Sequence, residues 1–345
     1  MLADKPSRAV LRAVRRTGSS VGFWELAEGE MLLDRVARVS KQILENVERV
    51  ILGKGPVAKT ILATLLSGGH VLLEDVPGTG KTMMARAFAA SMQCSFKRIQ
   101  FTPDLLPSDI IGVNVYNEKT SKFEFRPGPV FANVVLADEI NRASPKVQSS
   151  LLECMEERQV TVDGVVHRLP EIFFVIATEN PIEQEGTYPL PESQKDRFMV
   201  RLKMGYPEAR EERLMLDLHA RSHPIENIEP VASQDEILEI RRALYQITVE
   251  DSVKEYIVSL VSATRQSKEL TLGCSPRATL SLFKLSRAIA ALSGREYVLP
   301  DDVKQLAVPV LAHRVIMEAM PRMEGTTPEE VVSSIVESIP VPISR

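Results

Sequence analysis

The stretch Leu73-Glu74-Asp75-Val76-Pro77-Gly78-Thr79-Gly80-Lys81-Thr82 constrains this chain more than any other. The apolar run His70-Val71-Leu72-Leu73 before it reads as a buried strand, and Met83-Met84-Ala85-Arg86-Ala87-Phe88-Ala89-Ala90 after it is dense in strong helix formers. Strand, glycine loop, Gly-Lys-Thr and helix, in that order, predict backbone N–H groups curled around phosphates with a helix N-terminus facing the negative charge. Asp75, Val76, Pro77, Gly78, Thr79, Gly80, Lys81, Thr82 and Met83 are therefore the candidate cradle for ATP. Lys81 is expected to reach the β/γ phosphates and the Thr82 hydroxyl to ligate Mg²⁺. Asp75 stands where the pattern G-x-x-x-x-G-K-[ST] has its first glycine. Because Asp tolerates left-handed backbone better than most residues, the turn is expected to survive.

Val134-Val135-Leu136-Ala137-Asp138-Glu139, about fifty residues further on, is a buried strand ending in two carboxylates. Asp138 is expected in the Mg²⁺ shell, and Glu139 as the base that activates water for attack on the γ-phosphate. The blander alternative is that both carboxylates cap the next helix. Another apolar run, Phe173-Phe174-Val175-Ile176-Ala177-Thr178, delivers Asn180 to the same sheet edge, where it can orient the lytic water.

Around these landmarks, apolar residues at Leu33, Val36, Val39, Ile43, Val47 and Val50 predict a helix over 33–52, and a second covers 57–66. Strands are expected over 95–101 and 199–204, a helix over 144–157, and hairpins over 113–125 and 159–168. The second hairpin turns at Asp163-Gly164, which suits type I′ geometry. After Gly205-Tyr206-Pro207 only helical patterns recur, at 208–220, 233–245, 251–266, 276–292 and 301–312. His219 and His223 are placed on one helix face and read as surface histidines rather than a metal site. The organisation expected is a basic, flexible tail over 1–33, an α/β nucleotide-binding core over 34–205, an all-helical lid over 206–320 and a C-terminal helix and tail over 321–345.

A length of 345 residues suits such a division. With a net charge of −4 there is no global attraction to nucleic acid. Lys5, Arg8, Arg12, Arg15 and Arg16 against Asp4 give the first twenty residues a charge of +4, read as a solvated tail, with a transit peptide left open. Cys94, Cys154 and Cys274 follow no metal spacing and point to a reducing cytoplasm. No apolar run approaches the length of a membrane span.

Several long segments resemble the MoxR branch of the AAA+ ATPases: Phe101-Thr102-Pro103-Asp104-Leu105-Leu106-Pro107-Ser108-Asp109, Ala137-Asp138-Glu139-Ile140-Asn141-Arg142-Ala143, the stretch from Ala177-Thr178-Glu179-Asn180 to Pro191-Glu192, Asp196-Arg197-Phe198, and Gly273-Cys274-Ser275-Pro276-Arg277-Ala278. The resemblance covers about residues 34 to 340. It implies a five-stranded parallel sheet with helices on both faces and hairpin insertions, a helical lid, and a homo-oligomeric ring, usually a hexamer. It marks Asn180 as sensor 1, Arg197 as the arginine finger offered to a neighbouring subunit, with Arg142 as competitor, and Arg277 as the lid's sensor 2. An arginine supplied in trans is worth on the order of three to five decades of rate.

The family further implies an ATP-driven, chaperone-like remodeller, or an aid to metal-cofactor insertion, whose partners carry von Willebrand factor A (VWA) domains. A nucleic-acid motor is the first alternative; against it, the hairpin over 159–168 carries only His167 and Arg168. A nucleotide-dependent assembly switch with little turnover is the second, motivated by Asp75.

Overall fold

The six apolar residues from Leu33 to Val50 that keep helical spacing are all buried along one side of helix α1 (Val21–Val50). The computed structural model describes residues 21–76, 78–180, 186–220 and 223–342, with side chains from residue 32 onward and without that of His219. Residues 1–20 of the basic tail, Pro77 of the loop, residues 181–185 of the shared motif and the His219 side chain lie outside the described residues. Helix α1 begins inside the stretch expected to be tail. Glu25, Leu26, Ala27, Glu28 and Met31 are good helix formers that lack the apolar stripe by which the rest of α1 was read.

Helix α2 (Gly55–Leu66) is apolar on most sides and leads to strand β1 (Val71–Glu74). Helix α3 (Lys81–Ser91), strand β2 (Phe96–Gln100) and the short helix α4 (Pro107–Ile111) come next. The hairpin β3 (Gly112–Asn117) and β4 (Lys122–Pro127) precedes strand β5 (Val134–Asp138) and helix α5 (Pro145–Glu157). A second hairpin pairs β6 (Gln159–Val162) with β7 (Val165–Arg168), turning at Asp163 (φ 49°) and Gly164 (φ 79°) as a type I′ turn requires. The two hairpins lean together, stacking Phe125 on His167 with ring centroids 3.9 Å apart, and leave Phe123, Tyr116, Val165 and Val166 exposed.

Strand β8 (Phe174–Glu179), a turn of helix α6 (Glu192–Lys195) and strand β9 (Val200–Leu202) complete a parallel sheet in the order β2-β5-β8-β1-β9. Its strands alternate strictly between two apolar clusters. Val71, Leu73, Val134, Leu136, Phe174 and Ile176 face one; Leu72, Val135, Ala137, Val175 and Ala177 face the other. A sheet buried on both faces needs helices on both, which explains why its strands read as continuous apolar runs.

Beyond β9 come α7 (Ala209–His219), α8 (Gln234–Ala243), α9 (Asp251–Gln266), β10 (Leu270–Leu272), α10 (Pro276–Leu292), α11 (Pro300–Leu311), β11 (Ile316–Met317), α12 (Ala319–Met323) and α13 (Pro328–Ser338). Among the described residues the lid is helical apart from one antiparallel pair, β10 with β11, too short to show a period in the sequence, and a single parallel bridge between Thr248 and Tyr297. Helix α7 ends at His219, so His223 is not on its face. Leu282, Leu285 and Ile289 of α10 and Leu306 of α11 join the cluster that covers one face of the sheet, so core and lid share one apolar interior.

Candidate nucleotide site

Parallel pairing puts the carboxyl ends of β1, β2, β5 and β8 at one edge, with Gln100 opposite Asp138 and Leu73 opposite Thr178. Between β1 and α3 the loop turns through Gly78 (φ 85°) and Gly80 (φ 88°). At Gly78 a Cβ would enter open space, so it is the left-handed backbone that calls for glycine there, exposing N–H groups to a ligand. Gly78, Gly80, Lys81, Thr82, Met83, Asp138, Glu139 and Asn180 line one cavity of about 380 Å³. The structure thus gathers these candidates into a single site, with Asn180 at the end of β8.

Lys81, the first residue of α3, donates from Nζ to the carbonyl of Asp75 at 2.7 Å. Burial lowers its pKa, opposed by attraction from Asp75, Asp138 and Glu139. Asp138 is fully engaged. Its Oδ2 accepts Arg98 Nη2 at 2.7 Å and Nε at 3.0 Å, and its Oδ1 accepts the Thr178 hydroxyl at 2.7 Å. Thr178 in turn accepts the Glu139 N–H at 2.8 Å, so one side chain fixes both acids. Glu139 sits at φ 57°, left-handed backbone costing about 1–3 kcal/mol in a residue other than glycine, the strain seen where a side chain must be aimed. Its Oε2 accepts Gln100 Nε2 at 2.7 Å and Arg142 Nη1 at 3.3 Å.

Asp75 does not use left-handed backbone: the residues of positive φ do not include it. Its carboxylate is a clamp. Oδ1 accepts the Val76 N–H at 2.8 Å, and Oδ2 accepts the N–H groups of Met204 and Gly205 at 2.8 and 2.6 Å. The residue that departs from the usual loop thus ties it to the chain just after β9.

Arg197 and Arg277 are not brought to this edge. His70, just before β1, accepts the Met199 N–H just before β9, so Asp196 and Arg197 lie at the amino edge of the sheet. A four-residue strand at about 3.3 Å per residue separates that edge from the phosphate loop by roughly 13 Å. There Arg197 Nε meets Glu156 Oε2 at 3.1 Å, and Arg277 meets Glu156 Oε1 at 2.7 Å and Asp196 Oδ2 at 3.3 Å. Buried Arg314 donates to Asp196 Oδ1 at 2.8 Å and to the Phe198 carbonyl at 2.8 Å, fixing the turn that carries Arg197. Arg142, by contrast, stands in the chain's own site beside Glu139.

The sequence reading missed Thr178, Arg98, Gln100 and Arg314. Arg98 and Gln100 stand two apart on a strand and so share a face, a signal that was there to read. The donor set fits a nucleotide with Mg²⁺: a lysine and loop N–H groups for phosphates, and one hydroxyl and one carboxylate for a hard cation that takes its other oxygens from phosphate and water.

The family model described as ATPase family associated with various cellular activities (AAA) matches residues 70–200, and the AAA lid domain model matches residues 262–335. Bacillus subtilis protein YeaC is 53% identical over 302 residues, spanning 88% of this chain and 94% of YeaC. Chaperone MoxR1 of Mycobacterium tuberculosis is 40% identical over 325 residues, 92% of this chain and 85% of MoxR1. The crystal structure of a candidate ATPase from Cytophaga hutchinsonii superposes with a TM-score of 0.87 at 38% identity, covering 92% of this chain and 99% of that one. No helix among the described residues is long and apolar enough to cross a membrane.

Proposed function

Because the chain belongs to the MoxR family of AAA+ ATPases, we propose that it hydrolyses ATP in a cytoplasmic homo-oligomeric ring, a hexamer, to remodel or assemble partner proteins in the manner of a chaperone. The supporting observation is the convergence of Lys81, Thr82, Asp138, Glu139 and Asn180 on one cavity while Arg197 and Arg277 stand at the opposite edge. When bound, MgATP supplies the scissile phosphoanhydride and the divalent charge that polarises it.

The chain's own residues do the rest. Lys81 exchanges the Asp75 carbonyl for phosphate oxygen, and Asp138 releases Arg98 to face the cation. Glu139 lets go of Gln100 and Arg142 before it can accept a proton from water, while Asn180 orients that water. Arg197 and Arg277, too far from their own loop, act on a neighbour's γ-phosphate. VWA-domain proteins are the partners proposed, with metal-cofactor insertion as one outcome, and the exposed apolar tips of the two hairpins contact the client.

Steady-state MgATP hydrolysis per subunit is expected to climb with protein concentration as subunits associate. Glu139→Gln should keep ATP binding and lose turnover, and Arg197→Ala mixed with wild type should poison it. A rate that stays flat while association proceeds would sink the composite site. The prior engagement of Asp138 and Glu139 by Arg98 and Gln100 favours a second reading, an assembly switch with little turnover. Under that reading Glu139→Gln should alter little.

A further inference from the structure

Beside the Arg197 and Arg277 cluster, at the seam between core and lid, lies another cavity of about 300 Å³ that shares no residue with the phosphate loop. Arg158, at the end of α5, contributes from the core. Arg241 of α8 and Lys284 and Arg287 of α10 contribute from the lid, with Tyr245 at the rim. Arg98, Arg142, Arg197, Arg201, Arg277 and Arg314 each meet a carboxylate. Among the described residues, the four cations of this cleft make no ion pair with one, and no acidic side chain lines it.

The guanidiniums touch backbone instead. Arg158 donates to the carbonyls of Gly68 at 2.8 Å and Glu171 at 3.4 Å; Arg241 donates to those of Leu65 at 2.8 Å and Glu171 at 3.1 Å. Carbonyls at the end of α2 carry partial negative charge, enough to orient two arginines but not to neutralise them. Both converge on the single carbonyl of Glu171. Burial, with the charge of Arg158, lowers the pKa of Arg241 to about 10 despite attraction from Glu171, and its Nε is buried without a partner. Like charges crowded at low dielectric repel, and a bound anion relieves that repulsion.

We propose that this cleft is a second anion site, taking the phosphate groups of a small soluble ligand and joining core to lid through it. Planar guanidinium forks match pairs of phosphate oxygens, and the volume suits a small molecule. Tyr245, with Arg287 at 5.6 Å from its ring centroid, offers a face to a planar group.

The test uses full-length Lys81→Ala protein, whose phosphate loop is silenced, titrated calorimetrically with inorganic pyrophosphate and separately with ADP. Saturable binding that weakens with added salt is expected. Lys284→Gln and Arg287→Gln, each added to Lys81→Ala, should weaken it about ten- to hundredfold, the loss of one charge-assisted contact. Equal affinity for the two probes assigns recognition to phosphate alone, and tighter ADP brings in Tyr245; either supports the site. Lys284 is exposed and unpaired, so its variant should melt with the parent, separating lost binding from lost folding. Absence of saturable binding to Lys81→Ala, or unchanged affinity in both cleft variants, would overturn the proposal.

Discussion

Replacing Asp75 by glycine would restore the usual phosphate-loop residue, and the structure predicts that it damages the protein. Three N–H groups lose their acceptor, those of Val76, Met204 and Gly205, now held at 2.8, 2.8 and 2.6 Å. The contact with Met204 is buried, and a buried donor left unsatisfied costs about 1–3 kcal/mol; the other two can recruit water and cost about 1 kcal/mol each. The sum is about 3–5 kcal/mol, which at about 2 °C per kcal/mol for a long chain lowers the melting temperature by about 6–10 °C. Asp75→Asn separates hydrogen bonding from size: its carboxamide oxygen can keep Met204 and Gly205 only by turning its NH2 toward the Val76 N–H, so it should lose about 1 kcal/mol, the smaller part of the effect. Thermal melts without nucleotide, read beside MgATP affinity, make the comparison. If Asp75 were only a tolerated turn residue, glycine would be neutral or stabilising. Asp75→Gly melting within about 2 °C of the parent, under 1 kcal/mol on the same scale, would refute the clamp.

Thr178→Val keeps shape while releasing the carboxylate of Asp138 and the N–H of Glu139; turnover should fall about ten- to hundredfold, as for lost outer-shell partners, and the two part-buried hydrogen bonds, at about 1 kcal/mol each, should lower the melting temperature by about 4 °C. Arg98→Ala removes a half-exposed competitor from Asp138; an exposed pair is worth about 0.2–1 kcal/mol, so MgADP should bind up to about fivefold tighter. Weaker binding would mean that Arg98 touches the ligand. His70 accepts the Val175 N–H at Nδ1, its Nε2–H donates to the Met155 carbonyl, and burial lowers its pKa to about 3. Since the folded value lies below the ordinary 6.5, folding favours the neutral ring. Its contribution is whole above about pH 6.5 and is lost as pH falls toward 3, at up to about 1.4 kcal/mol per pH unit. A His70 ring signal that titrates near pH 6.5 by NMR would contradict this.

What could be read from the sequence was whatever repeats locally. Buried strands announced themselves as apolar runs because both sheet faces are covered, and Asp163-Gly164 announced its turn through the backbone it tolerates. The clamp could not be read, since Asp75 meets partners 129 and 130 residues away. The role of Thr178 was equally hidden: a threonine inside an apolar strand is ordinary until its neighbour across the sheet is known. The separation of Asn180 from Arg197 was implicit. One follows a strand and the other precedes a strand, and in a parallel sheet that places them at opposite edges.

That separation has a consequence for counting. If Arg197 and Arg277 serve a neighbour, as proposed, working sites belong to contacts between subunits, not to subunits. A closed ring then has as many sites as members. An arc opened at one contact has one fewer, with a nucleotide stranded at one end and an idle pair of arginines at the other. Under that proposal turnover per subunit would register closure, and a partner that pried open a single contact would silence one site while leaving every nucleotide bound.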